Sequence, residues 1–103
     1  MIRYDKLVRD NIPDLIWAQG ETPLARVLQE EEYKRLLEDK LDEEVAEYHA
    51  DKNPEELADI LEVVFALAKI SGVSYAQLME IYQRKREERG GFDNRIYLIG
   101  KEG

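Results

Sequence analysis

The chain has 103 residues, with 23 acidic side chains against 15 Lys and Arg and a formal net charge of -8. That length limits it to one domain with a modest core, and a hydrophobic content of 44% is too high for a disordered chain. Cysteine is absent, which excludes disulfides and thiolate metal sites and suits a reducing cytoplasm. A sequence pI near 4.7 argues against binding a nucleic acid polymer, which takes a basic face.

The N-terminal stretch "MIRYDKLVRDNIPDLIWAQG" scatters its charges and contains no apolar run suited to a signal peptide. Within it, "IPDLIWAQG" reads as a short helix, with Pro13 in the first turn and Gly20 at the end. "ETPLARVLQ" is ambiguous. Leu24, Arg26 and Leu28 alternate with Ala25 and Val27, so the pattern allows a short strand. "EEEYKRLLEDKLDEEVAEYHAD" predicts a long helix of strong helix formers, and "KNP" breaks it because Pro54 disfavours helical geometry at Asn53. "PEELADILEVVFALAKISG" predicts a second long helix, with acids in its first turn and Gly72 at its end. Its apolar run is interrupted by Glu62 and is too short to span a bilayer. "SYAQLMEIYQRKREERGG" predicts a third, opened by a capping box of Ser74 and Gln77. "RIYLIG" is rich enough in β-branched and aromatic residues for a final strand. The expected fold class is therefore all-α, a single helical bundle. The pattern leaves room for a two-stranded ribbon from residues near 24–28 and 95–99.

The direction of the carboxylates carries the functional reading. Successive helical residues turn by roughly 100°. On the first long helix, Tyr33, Leu37, Leu41, Val45 and Tyr48 form one apolar stripe. Glu44 falls inside it and Glu47 on its flank. The next helix is apolar over most of its circumference, which marks an element touched from several sides. Glu56 lies within that arc and Asp59 at its edge. A buried carboxylate must be protonated, paired with Lys or Arg, or bound to a metal. Two i,i+3 pairs on helices joined by a tight turn supply four converging oxygen ligands, Glu44, Glu47, Glu56 and Asp59. With no cysteine and one histidine, such a set favours Mg²⁺ or Mn²⁺ over Zn²⁺. Simpler accounts exist for each acid alone. Glu55 and Glu56 suit a helix N-terminus, and Glu43, Glu44 and Glu47 have Lys40 and Lys52 within pairing distance along the chain. Both pairs entering apolar stripes together favours the metal.

"EEVAE" (Glu43 to Glu47) followed by "EELAD" (Glu55 to Asp59) resembles the EExxE…ExxD signature of the MazG-like nucleotide pyrophosphohydrolases, within the all-α NTP pyrophosphatase superfamily. The flanking "KLVRDNIP" and "KREERGGF" look like a phosphoribosyl-ATP pyrophosphohydrolase-like subgroup, and the resemblance runs from Lys6 to about Phe92. It implies Mg²⁺-dependent cleavage of a nucleoside triphosphate between its α and β phosphates, and a helical dimer or higher oligomer. Residue by residue, it puts Glu44, Glu47, Glu56 and Asp59 at metal-ligand positions. It puts Glu43 at the leading Glu, which binds a further metal or orients water. The connection "YHADKNPE" is shorter than in many members and the long insertions that form a base pocket are missing, so base and sugar stay unassigned.

A triphosphate brought to an acidic protein needs bridging metal ions and nearby cations. Two places offer cations. The stripe Tyr75, Leu78, Tyr82 of the last helix continues as Lys85 and Arg89, although Lys and Arg suit a helix C-terminus in any case. The second place is Lys6 and Arg9. His49 reads as a surface residue, Trp17 as packing or interface, and Gly90–Gly91 as a plain helix stop. The alternative function is a non-catalytic helical oligomerisation module that binds a structural cation. A di-iron bundle is disfavoured, because His49 stands three residues after Ala46 rather than after a Glu. A 103-residue chain with one helix apolar nearly all round predicts a homo-oligomer, at least a dimer.

Overall fold

Four helices and no strands make up the computed structural model, which describes residues 1–103. They are α1 (Ile12–Ala18), α2 (Glu30–Asp51), α3 (Pro54–Ile70) and α4 (Tyr75–Arg89). The chain is all-α, as its pattern predicts.

The α2–α3 hairpin is set by two residues. Lys52 closes α2 in the left-handed region at φ 57°, and its N–H donates to the Tyr48 carbonyl at 2.8 Å. Asn53 then turns extended, as the Pro after it requires, and its side chain accepts the Glu56 N–H at 3.1 Å. The chain reverses at once, and α3 packs antiparallel along α2.

Leu37 of α2 and Val63 of α3 are the buried apolar residues, and Tyr33, Leu41, Val45 and Tyr48 are half-buried along the same stripe. Fully burying one such aliphatic side chain stabilises by about 1.5–3 kcal/mol. Few do so here. Leu57 and Leu61 on α3 remain 50% and 49% exposed.

α4 opens with the predicted capping box. Ser74 Oγ accepts the Gln77 N–H at 3.2 Å, and Gln77 Oε1 accepts the Ser74 N–H at 2.8 Å. Tyr75 meets Phe65 edge to face, with ring centroids 5.1 Å apart. Beyond that, α4 packs on α3 alone, and α1 packs on no other helix. The molecule is correspondingly extended, 63 × 32 × 23 Å. Its radius of gyration is 18.3 Å, against about 13 Å for a compact chain of this length.

The two-stranded ribbon does not form. Residues 24–28 and 95–99 are without regular structure, and Val27 and Ile99 are each 95% exposed. β-branched composition produces a strand only where a second strand supplies hydrogen bonds and a packing face. Here Arg95 instead adopts φ 57° and donates its N–H to the Phe92 carbonyl at 3.1 Å, closing a turn.

Candidate metal centre

The site lies at the closed end of the hairpin. Glu43, Glu44 and Glu47 come from the C-terminal half of α2, and Glu56 and Asp59 from the first turns of α3. The i,i+3 and i,i+4 spacings stack each set on one side of its helix. The short Lys52–Asn53 connection then brings the two sets face to face. Glu43, Glu44 and Glu47 present carboxylate oxygens within 4.8 Å of one another, and so do Glu44, Glu56 and Asp59. Glu44 belongs to both groups and is their hinge.

Burial is graded across the centre. Glu44 is 7% exposed and is the one buried charged residue of the chain. Glu43, Glu56 and Asp59 are half-buried, and Glu47 is exposed. Two oxygens, Glu44 Oε2 and Glu56 Oε2, are shut off from solvent and accept no hydrogen bond. A buried carboxylate oxygen without a donor is expensive, and two of them on carboxylates of one acidic group fit a cation. All the donors are carboxylate oxygens, which suits a hard divalent ion such as Mg²⁺ or Mn²⁺.

The titration behaviour follows from this crowding. Burial pushes the Glu44 carboxyl above its ordinary range, and the neighbouring Glu47 adds to the rise while Lys40 opposes it. Glu56 is also raised, first by burial, then by the adjacent Asp51 carboxyl and by the charges of Glu47 and Asp59. No cation pairs with Glu56.

Three cations reach the other acids. Lys40 lies 3.5 Å from Glu43 and 3.4 Å from Glu44, with its side chain only 17% exposed. Lys6 lies 3.5 Å from Glu43. Arg9 Nη2 donates to Asp59 Oδ1 at 2.6 Å. Of the four basic residues the sequence nominates, Lys6 and Arg9 are therefore at the centre. Lys85 and Arg89 are not; they are exposed on the splayed α4 and pair with none of these carboxylates. The sequence offers Lys40 only as a pairing partner of Glu43 and Glu44, whereas it is a largely enclosed member of the centre. Its i,i+3 and i,i+4 spacing to Glu43 and Glu44 was the available signal. Asp51 also neighbours Glu56, across the turn, and nothing in its helical spacing marks it. Lys52 pairs with no acid and lies over the Tyr48 ring, 5.4 Å from its centroid. An apolar cleft lined by Tyr33, Ala66, Lys69 and Ile70 is at the open end of the hairpin. It lies roughly 16 Å along α2 from Glu44 at 1.5 Å per residue.

No protein-family model matches the chain, and no solved structure matches it. An uncharacterized protein of Mycolicibacterium smegmatis is 58% identical over 45 residues, which cover 44% of this chain and 46% of that protein. The match thus spans about half of the relative. No helix is long and apolar enough to cross a membrane.

Proposed function

We propose that the chain is a Mg²⁺-dependent nucleotide pyrophosphohydrolase of the MazG-like type, cytoplasmic and active as a homo-oligomer. The observation that carries this reading is the pair of buried, unpartnered oxygens, Glu44 Oε2 and Glu56 Oε2, on two carboxylates of one all-carboxylate group. The EExxE…ExxD spacing supports it from the sequence side, since its acids make up the two triads that share Glu44.

In this reading Glu44, Glu47, Glu56 and Asp59 hold the metal. Once bound, Mg²⁺ would polarise the phosphoryl oxygens of a triphosphate and lower the pKa of a coordinated water. Glu43 stands beside that group with its side chain 35% exposed, placed to accept a hydrogen bond from the attacking water and orient it. Lys40 opposes the upward push that burial gives the Glu44 carboxyl. Lys6 and Arg9 sit at the rim, where their charges are available to the phosphates of a bound nucleotide.

Surface area supports the assembly. The chain exposes 9497 Å², against about 6,000 Å² for a compact monomer of its mass. The excess, about 3,500 Å² on one chain, is larger than the share that one partner gives to a standard interface, and part of it is apolar: Leu57, Leu61, Tyr75 and Tyr82 are each about half exposed or more. A second copy laid against α3 and α4 covers these residues. In this reading Lys85 and Arg89 of one copy serve the acid centre of the neighbouring copy.

The same surface argument favours the second reading, an oligomerisation module with a structural cation. One assay separates them. Incubation with each nucleoside triphosphate, and with phosphoribosyl-ATP, is expected to release pyrophosphate only when Mg²⁺ or Mn²⁺ is present. An oligomer that binds the cation and releases none supports the module instead.

A further inference from the structure

The N-terminal segment is attached to the hairpin in an unusual way. α1 packs on no other helix. Two ion pairs, Lys6 with Glu43 and Arg9 with Asp59, are the only polar links from residues 1–20 to the α2–α3 hairpin. Both end on carboxylates of the acid centre. A left-handed Asp5, at φ 47° and gripped by the Arg3 guanidinium through two 3.1 Å hydrogen bonds, turns the chain just before Lys6. Asp is among the residues that accept this conformation at low cost.

We propose that Lys6 and Arg9 are internal counter-cations that occupy the acid centre until a divalent metal displaces them, so that metal binding releases residues 1–20 from the hairpin. The proposal rests on the metal reading above and deepens it. Its physical basis is competition. Asp59 lies in the group with the buried oxygens of Glu44 and Glu56, so a dication held there meets the Arg9 guanidinium at close range. The guanidinium is the weaker occupant. Its side chain is 54% exposed and that of Asp59 is 40% exposed, and pairs of this kind are screened and contribute little. Lys6 and Glu43, at 46% and 35% exposure and 3.5 Å, are looser still. Lys40 stays, because it is enclosed and belongs to α2 itself. The two released side chains then become free donors at the rim when an anionic ligand arrives with the metal.

Trypsin and Mn²⁺ titration test this on the intact protein. Trypsin cuts after Lys and Arg, so cleavage after Lys6 is expected to quicken severalfold on adding Mg²⁺, while cleavage after the exposed Arg95 and Lys101 stays constant as an internal reference. Mn²⁺ binding, followed by the paramagnetic signal of the free ion, is expected to tighten by up to about fivefold in Arg9→Gln, the equivalent of the exposed pair removed. Arg9→Lys, which keeps the charge, is expected to stay near wild type. Arg84→Gln, which removes one charge from the exposed part of α4, is expected to bind as wild type does. Equal Mn²⁺ affinity in wild type and Arg9→Gln, with metal-independent cleavage after Lys6, overturns the proposal and leaves the metal centre standing. Absence of Mn²⁺ binding in every variant overturns the metal centre and the proposal with it.

Discussion

Asn53 accepts the Glu56 N–H on its side-chain oxygen at 3.1 Å, so the residue that starts α3 also fixes the position of a carboxylate in the acid centre. Local capping and site geometry are one contact. Asn53→Ala removes it and is expected to cost about 1 kcal/mol, within the 0.5–2 kcal/mol range of lost N-caps. Urea unfolding in metal-free buffer measures the loss. Mn²⁺ affinity should fall as well, because the first turn carrying Glu56 and Asp59 frays.

Glu56→Gln keeps shape and hydrogen-bonding capacity while deleting a charge that no cation offsets. Pyrophosphate release at saturating Mg²⁺ is expected to disappear, and the metal-free melting temperature to rise, since Glu47, Asp51 and Asp59 all oppose ionisation of Glu56. Glu44→Gln should gain less, because it also strips Lys40 of its 3.4 Å partner. A Glu56→Gln protein that turns over like wild type would show that this carboxylate is not a ligand. One that melts far lower would make Glu56 a structural partner.

Stability should depend on pH with a definite sign. Glu44 and Glu56 both titrate above their unfolded values. The native state therefore holds protons that the unfolded state has already lost, and stability falls as pH rises from the ordinary carboxylate range through these raised values. Metal-free protein is expected to melt higher at about pH 5 than at about pH 7.5. Saturating Mg²⁺ should flatten or reverse the trend, since it stabilises the ionised centre. Below the ordinary carboxylate range the slope turns over. Asp5 and Glu32, held low by hydrogen bonds and charge from Arg3 and Arg26, contribute stability that is lost as pH falls through their depressed values.

Light scattering should give at least twice the 12.1 kDa chain mass at micromolar concentration. Leu61→Glu puts a charge on the half-exposed apolar face of α3 and is expected to shift the protein toward monomer, with loss of helicity rather than a stable single chain. A folded wild-type monomer would contradict the assembly.

What was legible in the sequence is local in origin. The hairpin break at Asn53–Pro54, the Ser74–Gln77 capping box and the helix limits depend on backbone contacts three or four residues apart, which spacing encodes directly. The entry of Glu44 into an apolar stripe was legible for the same reason, because one helix's own geometry sets which side it faces. Meeting Glu56 required only one further short turn.

Only the tertiary structure decided the rest. Arg9 finds Asp59 fifty residues away, and no periodicity encodes which cation a loop lays on which acid. Lys40 becomes a largely enclosed ion-pair partner of Glu43 and Glu44 instead of a solvated one, which its spacing alone does not decide. Residues 24–28 and 95–99 have strand-like composition and make no strand, since a ladder needs a neighbour that this chain does not place beside them. Helices satisfy their backbone hydrogen bonds within themselves, and strands and charge pairs depend on what the rest of the chain brings alongside.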